Sequence, residues 1–196
     1  MNPEEIDFFD RIAESWDANE FLSTPEVIKG IIARVGISSG SEVLDLGTGT
    51  GVLVPHLCEA VGPEGRITCI DISAGMLEKA KTKFGSYPGV SFILKDFERE
   101  NVEGWYDTIF LYSVYPHLQH PRETLKKLLN DNLKSGGSII IGFPTDNEFV
   151  NEIHKERKAP GDLLPGAAGL AKKLCEWGLD AKMESARNPY LVRIRK

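Results

Sequence analysis

The sequence predicts an α/β fold: a seven-stranded, mostly parallel sheet with an antiparallel C-terminal hairpin and helices on both faces. Three observations carry this. Residues 42–51, EVLDLGTGTG, read as a short buried strand that breaks into a glycine turn before an apolar helical pattern begins at Val52. Further on, short apolar runs alternate with segments whose apolar residues recur at helical spacing, the signature of a parallel sheet with crossover helices. The chain then closes on two strand-like runs, 180–187 and 190–195, joined through Asn188-Pro189. At 196 residues the chain is sized for one domain, 1–196, with a full hydrophobic core.

The elements follow in order. Asn2, Pro3, Glu4 and Glu5 form a helix start, with an amide cap, a proline in the first turn and acids at the positive end. Ile6, Phe9, Ala13 and Trp16 fall on one face of that helix. Thr24-Pro25-Glu26 opens a second helix through Ile28, Ile31 and Ile32, stopped by Gly36. After the glycine turn, 52–61 reads as helix and 66–70 as strand, with Asp71 at its tip. Ser73 caps a helix through Met76, Leu77 and Ala80. Val90 to Leu94 and Tyr106 to Leu111 are the third and fourth strands. His120-Pro121 starts a helix with Leu125, Leu128, Leu129 and Leu133 on its buried side, and SIIIGF is the fifth strand. Residues 146–158 form a helical insert, with Asn147, Asn151, His154 and Lys158 opposite Phe149, Val150 and Ile153. A last helix runs over 164–177 and ends at Gly178.

Composition removes several classes of function. Hydrophobic content of 41% and charged content of 27% are ordinary for a soluble globular protein. No apolar run reaches the ~18 residues that span a bilayer, so membrane insertion is not expected. A net charge of −6 argues against a broad nucleic-acid surface. The acidic N-terminus is not a targeting peptide, and three scattered cysteines read as reduced thiols, so a cytoplasmic location is expected.

The glycine turn narrows the ligand. Counting from Gly47, the sixth position is Val52, so the dinucleotide fingerprint with glycines at one, three and six fails. A phosphate-cradling loop would need Gly-Lys-Ser/Thr, which is absent. What remains is Asp45 two residues ahead of Gly47, Gly49 and Gly51. S-adenosylmethionine (SAM) carries an ammonium, a carboxylate and a sulfonium but no phosphate; Asp45 can face its cationic end and glycine amides its carboxylate. Asp71 is placed to accept from ribose hydroxyls, which NAD and SAM both offer.

With this motif the chain resembles the class I SAM-dependent methyltransferases, over about residue 8 to the C-terminus. The resemblance implies a Rossmann-like fold, SAM as cofactor and S-adenosylhomocysteine (SAH) as product. It further implies cofactor contacts from Asp45, Gly47, Thr48, Gly49, Gly51, Asp71, Ile72, Met76, Asp96, Phe97 and Tyr112, with Ile72 and Met76 sandwiching the adenine and Asp96 meeting its amino group. The segment FFDRIAESWD resembles the N-terminal helix of the ubiquinone/menaquinone-biosynthesis type, which implies a lid over 1–36. Residues 144–165 lie where such enzymes place a substrate-covering insert. Asn132-Leu133-Lys134-Ser135-Gly136-Gly137 resembles the family's turn into strand five, with Ser135 in place of proline.

Pro116-His117, Val150-Asn151-Glu152-Ile153-His154 and Asp162-Leu163-Leu164-Pro165 resemble a subgroup of small methyltransferases from anaerobic bacteria and archaea. His117, His154 and Asp162 are the candidate catalytic residues, either as ligands of a divalent metal or as bases toward a thiol or hydroxyl. Gly142-Phe143-Pro144 stands where that subgroup often has a histidine, which counts against a complete metal site. The expected activity is methyl transfer to a small-molecule acceptor by a monomer or homodimer, without nucleic acid. The alternative is a SAM-binding sensor on the same scaffold, which would share every cofactor residue.

Overall fold

In the computed structural model, which describes residues 3–19, 23–157, 161 and 163–196, five strands run parallel: β1 (Glu42–Leu46), β2 (Arg66–Asp71), β3 (Val90–Leu94), β4 (Tyr106–Tyr112) and β5 (Leu133–Phe143). A terminal hairpin of β6 (Asp180–Ser185) and β7 (Tyr190–Arg195) completes a seven-stranded sheet of order β3-β2-β1-β4-β5-β7-β6. β7 inserts antiparallel between β5 and β6, as the closing pair of strand signals predicts.

The helices are α1 (Pro3–Ile12), continued through a 3-10 turn at Ala13–Ser15 into α2 (Trp16–Asn19), then α3 (Pro25–Val35), α4 (Val54–Val61), α5 (Ala74–Phe84), α6 (Pro121–Asp131), α7 (Asn147–Arg157) and α8 (Ala167–Glu176). Strand residues alternate between two cores, following the two-residue side-chain period. Leu44, Leu46, Ile109, Leu111, Ile139 and Ile141 pack with Leu125 and Leu128 of α6 and Leu170 and Leu174 of α8. Val43, Ile67, Phe110 and Ile140 pack with Ile28 and Ile31 of α3 and Leu57 and Val61 of α4. Asp45 therefore emerges between Leu44 and Leu46 on the α3–α4 side, directly before the glycine turn.

Local chemistry sets most boundaries as expected. Thr24 accepts from Val27 N at 3.4 Å and Gly36 closes α3 in the left-handed region. Ser73 accepts from Met76 N at 3.1 Å. Several boundaries differ, β6 ending at Ser185 rather than 187 among them. α4 starts at Val54 rather than Val52, because the turn extends through Gly51 N to Thr48 O and Val54 N to Gly51 O bonds and Pro55 suits a first helical turn. α8 starts at Ala167 rather than Leu164, since Pro165 and Gly166 keep the chain extended up to the cap. Leu133 belongs to β5, because Asn132 ends α6 and donates its side-chain amide to Val102 O and Gly104 O.

Candidate active site

Sequence order reverses at β1, with β2 and β3 on one side and β4 and β5 on the other. Loops leaving β1 and β4 consequently part at their carboxyl ends and open a crevice. Gly47 turns there at φ 68°, where a Cβ would lie 2.4 Å from Cγ2 of Val114 from the opposing loop. Only glycine satisfies both the backbone and the neighbour. Ser113 across the crevice holds φ 59° with its amide bonded to Gly142 O at 2.8 Å, a strained conformation for a residue with a side chain.

A cavity of about 170 Å³ fills this crevice. Its floor carries two buried acids. Asp45 accepts from Thr48 Oγ1 at 2.7 Å. Burial pushes its carboxyl from 3.8 up to about 7; the Thr48 bond opposes this and the Asp71 charge adds to it. Asp71 accepts from Gly49 N at 2.7 Å and Ser73 N at 2.8 Å, yet burial still holds it above the ordinary carboxylate range. The described lining contains no lysine or arginine. A site with two carboxylates and no cation suits a ligand bearing positive charge and hydroxyls, and lacks the cationic side chains of many phosphate sites.

The glycine amides of the turn bond within the protein. Gly47 N and Thr48 N donate to Ile70 O at 2.8 and 3.1 Å, Gly49 N to Asp71, and Gly51 N to Thr48 O at 2.9 Å. These four N–H groups are thus engaged within the protein, and the turn shapes the floor of the cavity.

The roof comes from the N-terminal segment. Phe8, Phe9 and Ile12 of α1 and Trp16 of α2 line the cavity. An acidic stripe ties this roof down. Asp10 accepts from Ser73 Oγ at 2.5 Å and Gly75 N at 2.9 Å, Glu14 pairs with Lys79, and Asp17 accepts from Thr50 Oγ1 at 2.6 Å while pairing with Lys83 at 3.0 Å. Burial alone would raise Asp17, but its bonds to Thr50 and Lys83 and the Lys83 charge prevail and hold it low. Residues 10, 14 and 17 share one helical stripe, as do 75, 79 and 83 opposite. That charge pairing is the signal sequence reasoning missed.

The far wall comes from α7 and the β4 and β5 loops. Val150, Ile153 and His154 line the cavity with Phe143, Pro144 and Thr145, while Phe149 is exposed. The inward face of α7 thus differs from the polar–apolar division expected: His154 turns in beside Val150 and Ile153, and Phe149 turns out. Asn151 instead clamps the following segment, accepting from Leu164 N at 2.8 Å and donating to Leu164 O at 3.0 Å. His117, buried in the 3-10 turn Tyr115–His117 after β4, lies with its ring 5.3 Å from that of His154 and edge-on to Phe9 at 5.2 Å. Roof and wall meet on this histidine.

Of the sequence-predicted residues, Asp45, Gly47, Thr48, Gly49, Asp71, Met76, Tyr112, His117 and His154 line this one cavity. Gly51, Ile72, Asp96 and Phe97 are not part of the lining. Gly51 packs toward Phe84, and Phe97 lies in the core. Asp96 accepts from Glu98 N at 3.1 Å within its own turn and pairs with Arg99. Asp162 lies outside the described residues. Among the described residues no three His, Cys, Asp or Glu side chains gather as a metal site, and no helix is long and apolar enough to cross a membrane.

Comparison with known proteins adds the following. The sequence model of a family described as methyltransferase domain matches residues 37–185. Malonyl-[acyl-carrier protein] O-methyltransferase of Acetivibrio thermocellus is 28% identical over 211 aligned positions, covering 96% of this chain and 72% of that protein. The protein of that name from Anoxybacillus flavithermus is 32% identical over 112 positions, 57% of this chain. There the match spans only 42% of the relative's length. Among solved structures, the DhpI–SAH complex superposes with a TM-score of 0.76 at 18% identity, covering 97% of this chain and 94% of the other, a likeness of fold.

Proposed function

The chain belongs to the methyltransferase domain family, and on that premise we propose that it is a SAM-dependent enzyme methylating a small-molecule acceptor by direct displacement. The observation that supports it best is the pair of buried acids, Asp45 and Asp71, in a cavity whose described lining has no cation. In this reading Asp45 meets the positive end of the cofactor and Asp71 its ribose hydroxyls. Met76 packs against the base, and the turn at Gly47 lets the β1 and β4 loops approach closely enough to hold it. When bound, SAM supplies a methyl group activated by its sulfonium.

The chain's contribution is orientation and exclusion of water. Holding an acceptor in line accounts for several kcal/mol of a displacement barrier, about 7–11 at most, and charge loss is favoured in a dry pocket. Of the lid expected over 1–36, α1 and α2 take that role through Phe8, Phe9, Ile12 and Trp16, whereas α3 packs Ile28 and Ile31 into the core; α7, within the insert expected over 144–165, covers the acceptor side. His117 and His154 stand at that side as the groups that contact the acceptor.

Calorimetry with SAM and SAH, followed by SAH release on a panel of thiols and phenols, tests this. Asp45→Ala is expected to abolish cofactor binding, while His154→Ala spares binding and lowers turnover. Equal loss of cofactor affinity in both variants contradicts the division of roles. Tight binding without product across the panel would instead mark a SAM sensor.

A further inference from the structure

Glu5 stands apart from the acidic stripe that ties the lid to α5. It occupies the first turn of α1 and is fully buried, whereas an acid that only complements a helix dipole can stay in water. Its Oε2 accepts from Gln119 Nε2 at 3.2 Å, and its Oε1 lies 3.5 Å from Nδ1 of His117. Burying a carboxylate is costly unless hydrogen bonds or a charge partner offset it. At this distance the contact falls short of a hydrogen bond, and His117 Nδ1 is buried without one; catalytic contacts of this kind often tighten only when ligand arrives. Around His117 the fit is close: Phe9 meets the ring edge-on, His154 lies against it, and a Cβ on Gly161 would sit 2.8 Å from Nδ1. His117 lines the cavity, and a ring whose Nδ1 serves Glu5 has Nε2 as its other nitrogen.

Phe9, Phe143, Val150 and Ile153 line the same cavity as the two histidines, and the described lining supplies no lysine or arginine. Among the described lining residues an anionic acceptor would find no counter-ion other than a protonated histidine. A neutral hydroxyl or thiol would enter readily but remain a poor nucleophile until it loses its proton.

We propose that Glu5 is a positioning residue that fixes His117 with its proton on Nδ1, leaving Nε2 to deprotonate a neutral, apolar acceptor carrying an ionisable phenol or thiol. This rests on the methyltransferase reading of the same site and names its acceptor class. The step balances. The acceptor's O–H or S–H bond breaks and its proton moves to Nε2. The freed electron pair forms the bond to the methyl carbon of SAM, while the pair of the broken S–C bond stays on sulfur, giving SAH. The imidazolium faces the Glu5 carboxylate until it returns its proton to water. Because Glu5 rides on α1, the histidine is oriented only with the lid in place.

The test compares the wild-type chain with Glu5→Gln, Glu5→Asp and His117→Asn. Nitrogen-15 NMR of the histidine side chains, without cofactor or acceptor, reads the tautomer: Nδ1–H in the wild type, and a mixture in Glu5→Gln. Calorimetry is expected to show SAH binding unchanged in Glu5→Gln. Its kcat on aryl thiols and phenols falls roughly 10- to 100-fold, with KM within about twofold. The defect shrinks as the acceptor becomes more acidic, and Glu5→Asp recovers part of it. Loss of SAH affinity in step with turnover, a defect indifferent to acceptor acidity, an unchanged tautomer, or better turnover of carboxylates each overturns the proposal. Should Glu5→Gln not fold, Glu5→Asp and His117→Asn carry the same acidity comparison. Failure of the underlying reading looks different: the wild type itself would bind no SAH.

Discussion

Replacing Asp45 by asparagine is expected to stabilise the ligand-free protein while removing its cofactor binding. The amide keeps the shape of the side chain and an oxygen for the Thr48 hydroxyl, so charge is the main thing lost. Burial raises the Asp45 carboxyl from 3.8 to about 7. Between these values the folded state holds a proton that the unfolded chain has released, so wild-type stability falls as pH rises through that window. The full displacement corresponds to about 4 kcal/mol at pH 8. In a chain of this size that is a rise in Tm of up to roughly 8–16 °C for Asp45→Asn. Thermal unfolding from pH 4 to 8 checks it: the variant should lose the share of the downward slope that Asp45 supplies and keep the share from Asp71, whose carboxyl burial also raises. The same proton opposes the cofactor, so wild-type SAM affinity should weaken by up to about tenfold for each pH unit below 7. A variant less stable than wild type at pH 8, or one with the same pH slope, would refute the reasoning.

Gly47→Ala places a methyl 2.4 Å from Val114 Cγ2 at a backbone angle suited to glycine, at an expected cost of about 2–5 kcal/mol in urea unfolding. Adding Val114→Ala should recover the steric part but not the backbone part; strictly additive losses would show that the two loops do not meet as described. Lys83→Ala removes a pair whose side chains are 34% and 56% exposed, worth under about 1 kcal/mol after screening. SAH affinity should therefore fall less than about fivefold at low salt and hardly at all at high salt; a loss independent of salt would assign Lys83 another role. His154→Ala should leave the SAH dissociation constant unchanged and lower turnover, and a matching loss of both would make His154 part of the cofactor site.

Most of the sheet and half of the site were legible because their signals are local. Asp45, the staggered glycines, Asp71 and the Ser73 cap lie within a few residues of the turns they shape, and spacing alone places them. What sequence left out depends on distant chain. Glu5 reads as a first-turn acid, and nothing near it reports that His117, more than a hundred residues on, closes over it. The stripe of Asp10, Glu14 and Asp17 has meaning only once α5 presents Lys79 and Lys83. Periodicity found α7 but not which side faces in, because Phe149 and the pair Val150 and Ile153 look alike as apolar residues. Only packing shows Phe149 turned outward and His154 turned toward the cavity.

The same short N-terminal segment reaches both ends of the cavity, and this bears on how chemistry is timed. Its acidic stripe holds α5 and Thr50, beside the two acids on the cofactor side, while Glu5 and Phe9 hold His117 on the acceptor side. A lid lifted off the first would also leave the second, so a base competent for proton removal would exist only while the cavity is closed to water. If that is so, weakening the latch at Lys79 and Lys83 together should alter the His117 tautomer although neither residue touches it. Loss of the latch with His117 unchanged would separate the two ends and show that the lid only covers.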